Sequence, residues 1–277
     1  MSFTVVVVCA ILGFFAGSAA WVIARNQARR RPLWDPPRCE TDPAVSISPK
    51  AHTPAAADPD ALPLEQPTPP KSGCGTPLPV LAWLPLYGFG TAFRCPNCGA
   101  RQSIWRAAVE ILTVLYFAVA ASRIDDGLHL TAVLVFTLPL LIILLVDTWT
   151  RLIYTNLIYI GTAAGLIFAL AEDGPDGLLK ALLAMVAALA IFVMFYVLAG
   201  VLYRSVRVVP FGKGDIYLAV MIAAMVRLED LVQALFIGIL LAAFGGLLLI
   251  ATKRVGRRQA MPYGPYLCLG ALIALVR

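Results

Sequence analysis

Between residues 3 and 276 the chain returns eight times to a run of apolar residues interrupted by almost no charge. The runs occupy residues 3–24, 107–122, 130–146, 152–171, 178–203, 216–226, 231–252 and 263–276. About 20 such residues cross the ~30 Å hydrocarbon core of a bilayer as a helix. Most of these runs approach that length, and 216–226 and 263–276 fall short. With 60% of residues hydrophobic, 14% charged and a mean hydropathy of +0.82, no soluble fold needs so much apolar surface. The expected fold is an all-α membrane protein, a polytopic bundle of about eight transmembrane helices.

The runs divide the chain into three parts. Residues 1–24 form a first transmembrane helix, residues 25–106 a large loop, and residues 107–277 a seven-helix membrane domain. No basic residue precedes the first run, whereas Arg25, Arg29, Arg30 and Arg31 follow it at once. Basic residues gather on the cytoplasmic side, so the helix is expected uncleaved with its N-terminus outside, despite the Gly17-Ser18-Ala19-Ala20 that looks like a cleavage site. On this topology the external side keeps only Arg123, Lys180, Arg227 and Arg277 among the basic residues. Residues 32–79 are crowded with Pro, Ala, Asp and Thr and are expected to be a disordered loop. Residues 78–93 are apolar but broken by Pro79, Pro85, Gly88 and Gly90, which suggests an interfacial or re-entrant piece. Gly13 with Gly17, and Gly161 with Gly165, have the spacing of close helix contacts, though ordinary glycine usage also accounts for them.

Two acids stand out. Asp147 closes the third run, and Asp215 opens the sixth inside Gly212-Lys213-Gly214-Asp215-Ile216. A carboxylate in a membrane helix costs about 2.5–3.5 kcal/mol on insertion scales, and so implies a function. Both acids fall at the cytoplasmic ends of their helices, at a similar depth. Two carboxylates held close cannot both ionise; one keeps a proton while the other acts as base towards water. Such a dyad serves aspartic proteolysis, without metal or covalent nucleophile. Paired intramembrane acids also serve proton-coupled transporters, and either acid could simply cap its helix or face water.

Gly212-Lys213-Gly214-Asp215 resembles the GxGD signature of intramembrane aspartic proteases, and the rest of the chain resembles one branch of them, the type IV prepilin leader peptidases. Asp147 followed by Ile153-Tyr154-Thr155-Asn156 is similar to that family's first catalytic aspartate and its Ile-Pro-Asn element. Arg106-Ala107-Ala108-Val109-Glu110-Ile111-Leu112 and Pro262-Tyr263-Gly264-Pro265-Tyr266-Leu267 are similar to two further family segments, and Gly17-Ser18 fits the end of its first helix. The pieces are short but run in family order across nearly the whole chain. Three positions depart: Tyr217 stands where the family usually has Lys, Tyr154 replaces the Pro, and Trp21 sits about where an Asn is expected.

The resemblance implies an aspartic endopeptidase with Asp147 and Asp215 as catalytic residues. It would cut the basic leader from prepilins or pseudopilins just after a glycine, at the cytoplasmic face of the inner membrane. Many members then methylate the new N-terminus with S-adenosylmethionine. Gly212, Lys213, Gly214 and Glu110 are candidates for supporting substrate or loop, although Glu110 could equally snorkel to water. Proteolysis itself requires no cofactor. The implied partners are the prepilin substrate and the lipid bilayer, with no nucleic acid. A silent relative acting in pilus or secretion assembly is the remaining alternative, beside the transporter.

The six cysteines do not read as a disulfide framework. Cys95-Pro96-Asn97-Cys98 is one metal-knuckle half. The family's other half is a second Cys-x-x-Cys upstream; here Cys74 supplies one thiol and Lys71 occupies the other position. Cys39, across the long loop, could complete a four-sulfur zinc site with Cys74, Cys95 and Cys98. A metal-free turn is the other outcome. Cys9 and Cys268 lie inside apolar runs as small buried residues, and His52 and His129 are expected at the surface.

Overall fold

The computed structural model describes residues 3–39, 75–79, 82, 84, 94, 95, 97, 98, 103–202, 212–251 and 263–277. These residues form six helices: α1 (Phe3–Ala28), α2 (Ile104–Arg123), α3 (Gly127–Thr150), α4 (Thr155–Leu202), α5 (Lys213–Ala251) and α6 (Gly264–Leu275). Five are long and apolar enough to cross a membrane, and α6 is a shorter apolar helix. Among the described residues no strand forms; the extended pairing is one antiparallel bridge between Arg38 and Pro77. The expected disordered segment lies largely outside the described residues, as does most of 78–93.

The helices differ from the apolar runs in one informative way. Runs 152–171 and 178–203 join as α4, and runs 216–226 and 231–252 join as α5. At 1.5 Å per residue a straight α4 of 48 residues would be about 70 Å long, more than twice the hydrocarbon thickness. Each helix is instead broken by one non-helical residue, Gly174 (φ 64, ψ −145) and Arg227 (φ 59, ψ −172). The chain folds back sharply at Gly174, because a Cβ on Gly177 would strike the Ala169 carbonyl eight residues earlier. Arg227 adopts backbone angles that are almost confined to glycine, at a cost of order 1–3 kcal/mol. Its guanidinium supplies the compensation. It pairs with Asp173 and, at 2.8 Å, with Glu172, so one break is tied to the other.

Small residues set the packing. A Cβ at Gly13 would lie 2.9 Å from the Thr113 carbonyl, and one at Gly17 would lie 3.0 Å from the Glu110 Cα, so α1 rests directly on the backbone of α2. Gly165 meets the Ala224 backbone at 2.8 Å in the same way, which seats the first arm of α4 on the first arm of α5. Both glycine pairs are therefore helix contacts. Leu140, Ile143, Leu218, Met221 and Ile222 fill the space between helices. The outward faces stay apolar and exposed, with Val186, Val201, Val232 and Phe244 all at least 64% accessible. In water such a surface would aggregate; against lipid it is matched.

Candidate active site

The site lies where α1 and α3 end and where α2, α4, α5 and α6 begin. Asp147 sits in the last turn of α3 and is only 4% exposed. Its carbonyl accepts the Arg151 N–H at 2.9 Å, and Arg151, in the left-handed conformation (φ 55, ψ 29), ends the helix. The short link that follows places Ile153 against α5: a Cβ on Gly214 would be 3.3 Å from the Ile153 side chain. This contact brings Asp215, one residue on, to the end of the bundle that holds Asp147.

Asp215 is half-buried at the third position of α5 and makes a reciprocal cap. The Gly212 N–H donates to Asp215 Oδ2 at 3.1 Å, and the Asp215 N–H donates to the Gly212 carbonyl, also at 3.1 Å. One carboxylate oxygen thus closes the helix start, and the other is not used by the cap. Gly212 and Lys213 are exposed, so the lysine stands at the mouth of the site.

The surroundings of Asp147 are tighter. A Cβ built on Gly264, at the start of α6, would lie 2.6 Å from Asp147 Oδ2. That oxygen is buried and makes no hydrogen bond of good geometry among the described residues, although the Gly264 backbone N–H and the Arg151 charge both bear on the Asp147 carboxyl. An unsatisfied buried polar atom is uncommon and calls for an explanation, catalysis among them. The charge of Asp215 reaches Asp147, and those of both aspartates reach Cys268, fully buried one turn beyond Gly264. Among the described residues no salt bridge reaches either aspartate.

Glu110 does not snorkel to water. It is 1% exposed and accepts a bond from Arg106 Nε at 2.9 Å. Arg106 Nη2 also donates to Ser18 Oγ at 2.7 Å and to the Leu84 carbonyl at 2.9 Å, which ties α1, α2 and the intervening segment together. The family departures are absorbed locally. Trp21 meets Trp149 edge-on at 4.9 Å, and the Tyr154 hydroxyl donates to the Gln27 carbonyl at 2.6 Å. Both contacts fasten the end of α1 to the end of α3. Tyr217 is 55% exposed and points away from the bundle interior. The contact of Gly264 with Asp147 was not anticipated; its one signal in the sequence was membership of the Pro262–Leu267 motif.

Cys39, Cys95 and Cys98 converge with their sulfurs all within 4.8 Å, and Cys39 Sγ lies 3.4 Å from Cys98 Sγ. Cys74 lies outside the described residues. Its neighbour Gly75 donates its N–H to the Cys39 carbonyl at 3.1 Å, so that stretch of backbone passes the cluster. Burial pushes the Cys95 thiol up, but hydrogen bonding with Cys39 and with the Cys98 and Asn97 backbone outweighs it and leaves the thiol below its ordinary value. Tetrahedral zinc with Zn–S of 2.3 Å would hold sulfurs about 3.8 Å apart. The Cys39–Cys98 pair, at 3.4 Å, is a few tenths of an ångström closer than that, and all three sulfurs lie within 4.8 Å of one another. His129 is partly exposed, and its Nδ1 lies 3.5 Å from Glu172 at the opposite end of the bundle. His52 lies outside the described residues.

Fold and site together define a membrane-embedded helical protein with an acidic pair at one end of the bundle. The model of the type IV leader peptidase family matches residues 134–247, a stretch holding both aspartates. The chain is 28% identical over 200 residues to the prepilin leader peptidase/N-methyltransferase of Bacillus subtilis, covering 71% of this chain and 74% of that protein. The proteins of the same name from Pseudomonas putida and Aeromonas hydrophila are 27% and 28% identical, over 72% of this chain and 66% of each of theirs. No solved structure matches the chain.

Proposed function

We propose that the protein is an intramembrane aspartic endopeptidase that removes the basic leader of a prepilin-like or pseudopilin protein. Asp147 and Asp215 are the catalytic pair in this reading. The observation that carries it is the buried Asp147 carboxyl, in no ion pair among the described residues, beside a second acid whose charge reaches it. One carboxylate takes a proton from water as the water oxygen bonds to the scissile carbonyl carbon. The other, as the acid, protonates the carbonyl oxygen. Collapse of the tetrahedral intermediate breaks the C–N bond, and the amine leaves with a proton from the pair. Gly214 and Gly264 act as positioning residues, because each lets another segment close on an aspartate.

The eight helical arms are read as eight membrane passages with the N-terminus outside. The loop after α1 and the acidic pair then face the cytoplasm, and the membrane is the inner one. The positive-inside distribution of charge supports this orientation. The cysteine cluster would hold structural zinc through Cys39, Cys95 and Cys98, with Cys74 as the fourth ligand, and so stiffen the loop beside the site. The second activity in the relatives' names, N-methyl transfer, calls for S-adenosylmethionine; we propose no residue as its ligand. Transport is disfavoured, since both acids cluster at one end of the bundle rather than along a path through it.

The test uses the full chain in lipid with a peptide bearing a basic leader, a glycine and an apolar helix. Mass spectrometry of the products should show one cut, immediately after the glycine. An intact peptide, or cleavage at scattered positions, would sink the assignment.

A further inference from the structure

A second site lies at the same end of the bundle and is built from the opposite charge. Where α1 ends, a small cavity of about 20 Å³, open at its mouth, is lined by Arg25, Arg29, Arg31, Arg38 and Arg106, with Trp21, Val22 and Leu78 on its apolar side. Among the described residues its wall holds no carboxylate. Among the described residues Glu110 pairs with Arg106 and Asp35 lies 3.7 Å from Arg38, and Arg25, Arg29 and Arg31 each have an interaction partner as well. Each guanidinium offers five donors, so a neighbouring partner does not exhaust any of them. Five arginines around one opening favour an oxyanion, and their forked donors match phosphate in particular.

Location narrows the source of that phosphate. α1 is apolar enough to span a membrane and ends at the cavity. The two segments flanking the cavity carry Trp34, 78% exposed, and Trp105 with Ile104, each 68% exposed. The Asn26 amide fixes the first of these segments by donating to the Leu33 and Asp35 carbonyls at 3.1 and 2.8 Å. Exposed tryptophans beside arginines mark headgroup depth in a bilayer, and basic pockets between helices hold anionic headgroups. We infer that this cavity binds the phosphate of an anionic membrane lipid. The inference stands independently of the proteolytic reading. It also accounts for arginines on the face that a basic leader would approach, where they cannot serve the leader by attraction.

The experiment is native mass spectrometry of the full chain in detergent, titrated with phosphatidylglycerol, phosphatidylcholine or inorganic phosphate. Phosphatidylglycerol should bind in preference to both others. An Arg25→Gln/Arg29→Gln/Arg31→Gln variant should lose roughly fivefold in affinity per arginine, on the order of a hundredfold in all. If that variant does not fold, Arg29→Gln alone should show the single fivefold loss. Equal binding of phosphatidylcholine, or wild-type affinity in the variants, would overturn the site. Inorganic phosphate binding as tightly as the lipid would assign the cavity to a soluble anion and reject the lipid.

Discussion

The two ends of the bundle handle acidic groups in opposite ways. At the end where α4 and α5 break, five charged side chains pair with one another. Arg227 holds Glu172 and Asp173, and Lys180 meets Glu229 at 2.6 Å. There the charges close two chain reversals and hold a strained residue in place. At the other end Asp147 and Asp215 are in no ion pair among the described residues, and Asp147 Oδ2 has only the Gly264 backbone against it. Glu172, Asp173 and Glu229 at the first end are neutralised in ion pairs; Asp147, although the Arg151 charge reaches it, and Asp215 are in none among the described residues. On the proposed function, stability and reactivity are built at opposite ends of the same helices.

The largest expected effect follows from removing an acid at the unpaired end. Asp147→Asn or Asp215→Asn should lower leader cleavage by about 10²–10⁴-fold, the usual worth of a positioned acid or base, while thermal unfolding stays close to wild type. Near-normal cleavage by either variant would erase the contrast. At the same end, Cys95→Ser and Cys98→Ser should each release zinc and reduce cleavage without abolishing it. Elemental analysis before and after substitution checks this, and a wild-type protein free of zinc rejects the metal. Gly264→Ala comes next: its methyl would sit 2.6 Å from Asp147 Oδ2, so kcat should fall roughly tenfold with little change in KM. A loss confined to KM would instead place Gly264 on the substrate path.

The paired end should answer differently. Arg227→Ala removes both ion pairs while keeping an ill-suited backbone, and should cost about 1–3 kcal/mol of stability. Cleavage per folded molecule should hold. Arg227→Gly also loses the pairs but relieves the backbone, and should be the less damaging of the two. If Arg227→Ala slowed cleavage without lowering the unfolding temperature, the two ends would be coupled and the division of labour would fail.

Much of this arrangement was legible in the chain. The apolar runs marked every helical arm, because a bilayer allows little besides helix, and the two acids stood out by their cost. The Gly-x-x-x-Gly spacings pointed to real contacts. What the runs hid was how sharply one residue can turn the chain. Gly174 beside Pro175 carries a turn signal, whereas Arg227 carries none, since its backbone angles are sustained by partners 54 and 55 residues away. Distance in sequence likewise concealed the packing of Gly264 on Asp147. Glu110 misled for a third reason. Its i,i+4 spacing to Arg106 is plain, but spacing cannot say that the pair faces Ser18 rather than water.

The central claim is that Asp147 and Asp215 act as one unit, and ligand binding tests it most directly. A leader peptide whose scissile carbonyl is replaced by a hydroxyl-bearing tetrahedral carbon mimics the intermediate that only the intact pair recognises. Its affinity should fall by at least about tenfold in Asp147→Asn and in Asp215→Asn, and the double variant should bind no more weakly than either, as expected of groups that function together. Losses that multiply in the double variant, or one single variant that binds as tightly as wild type, would contradict the account.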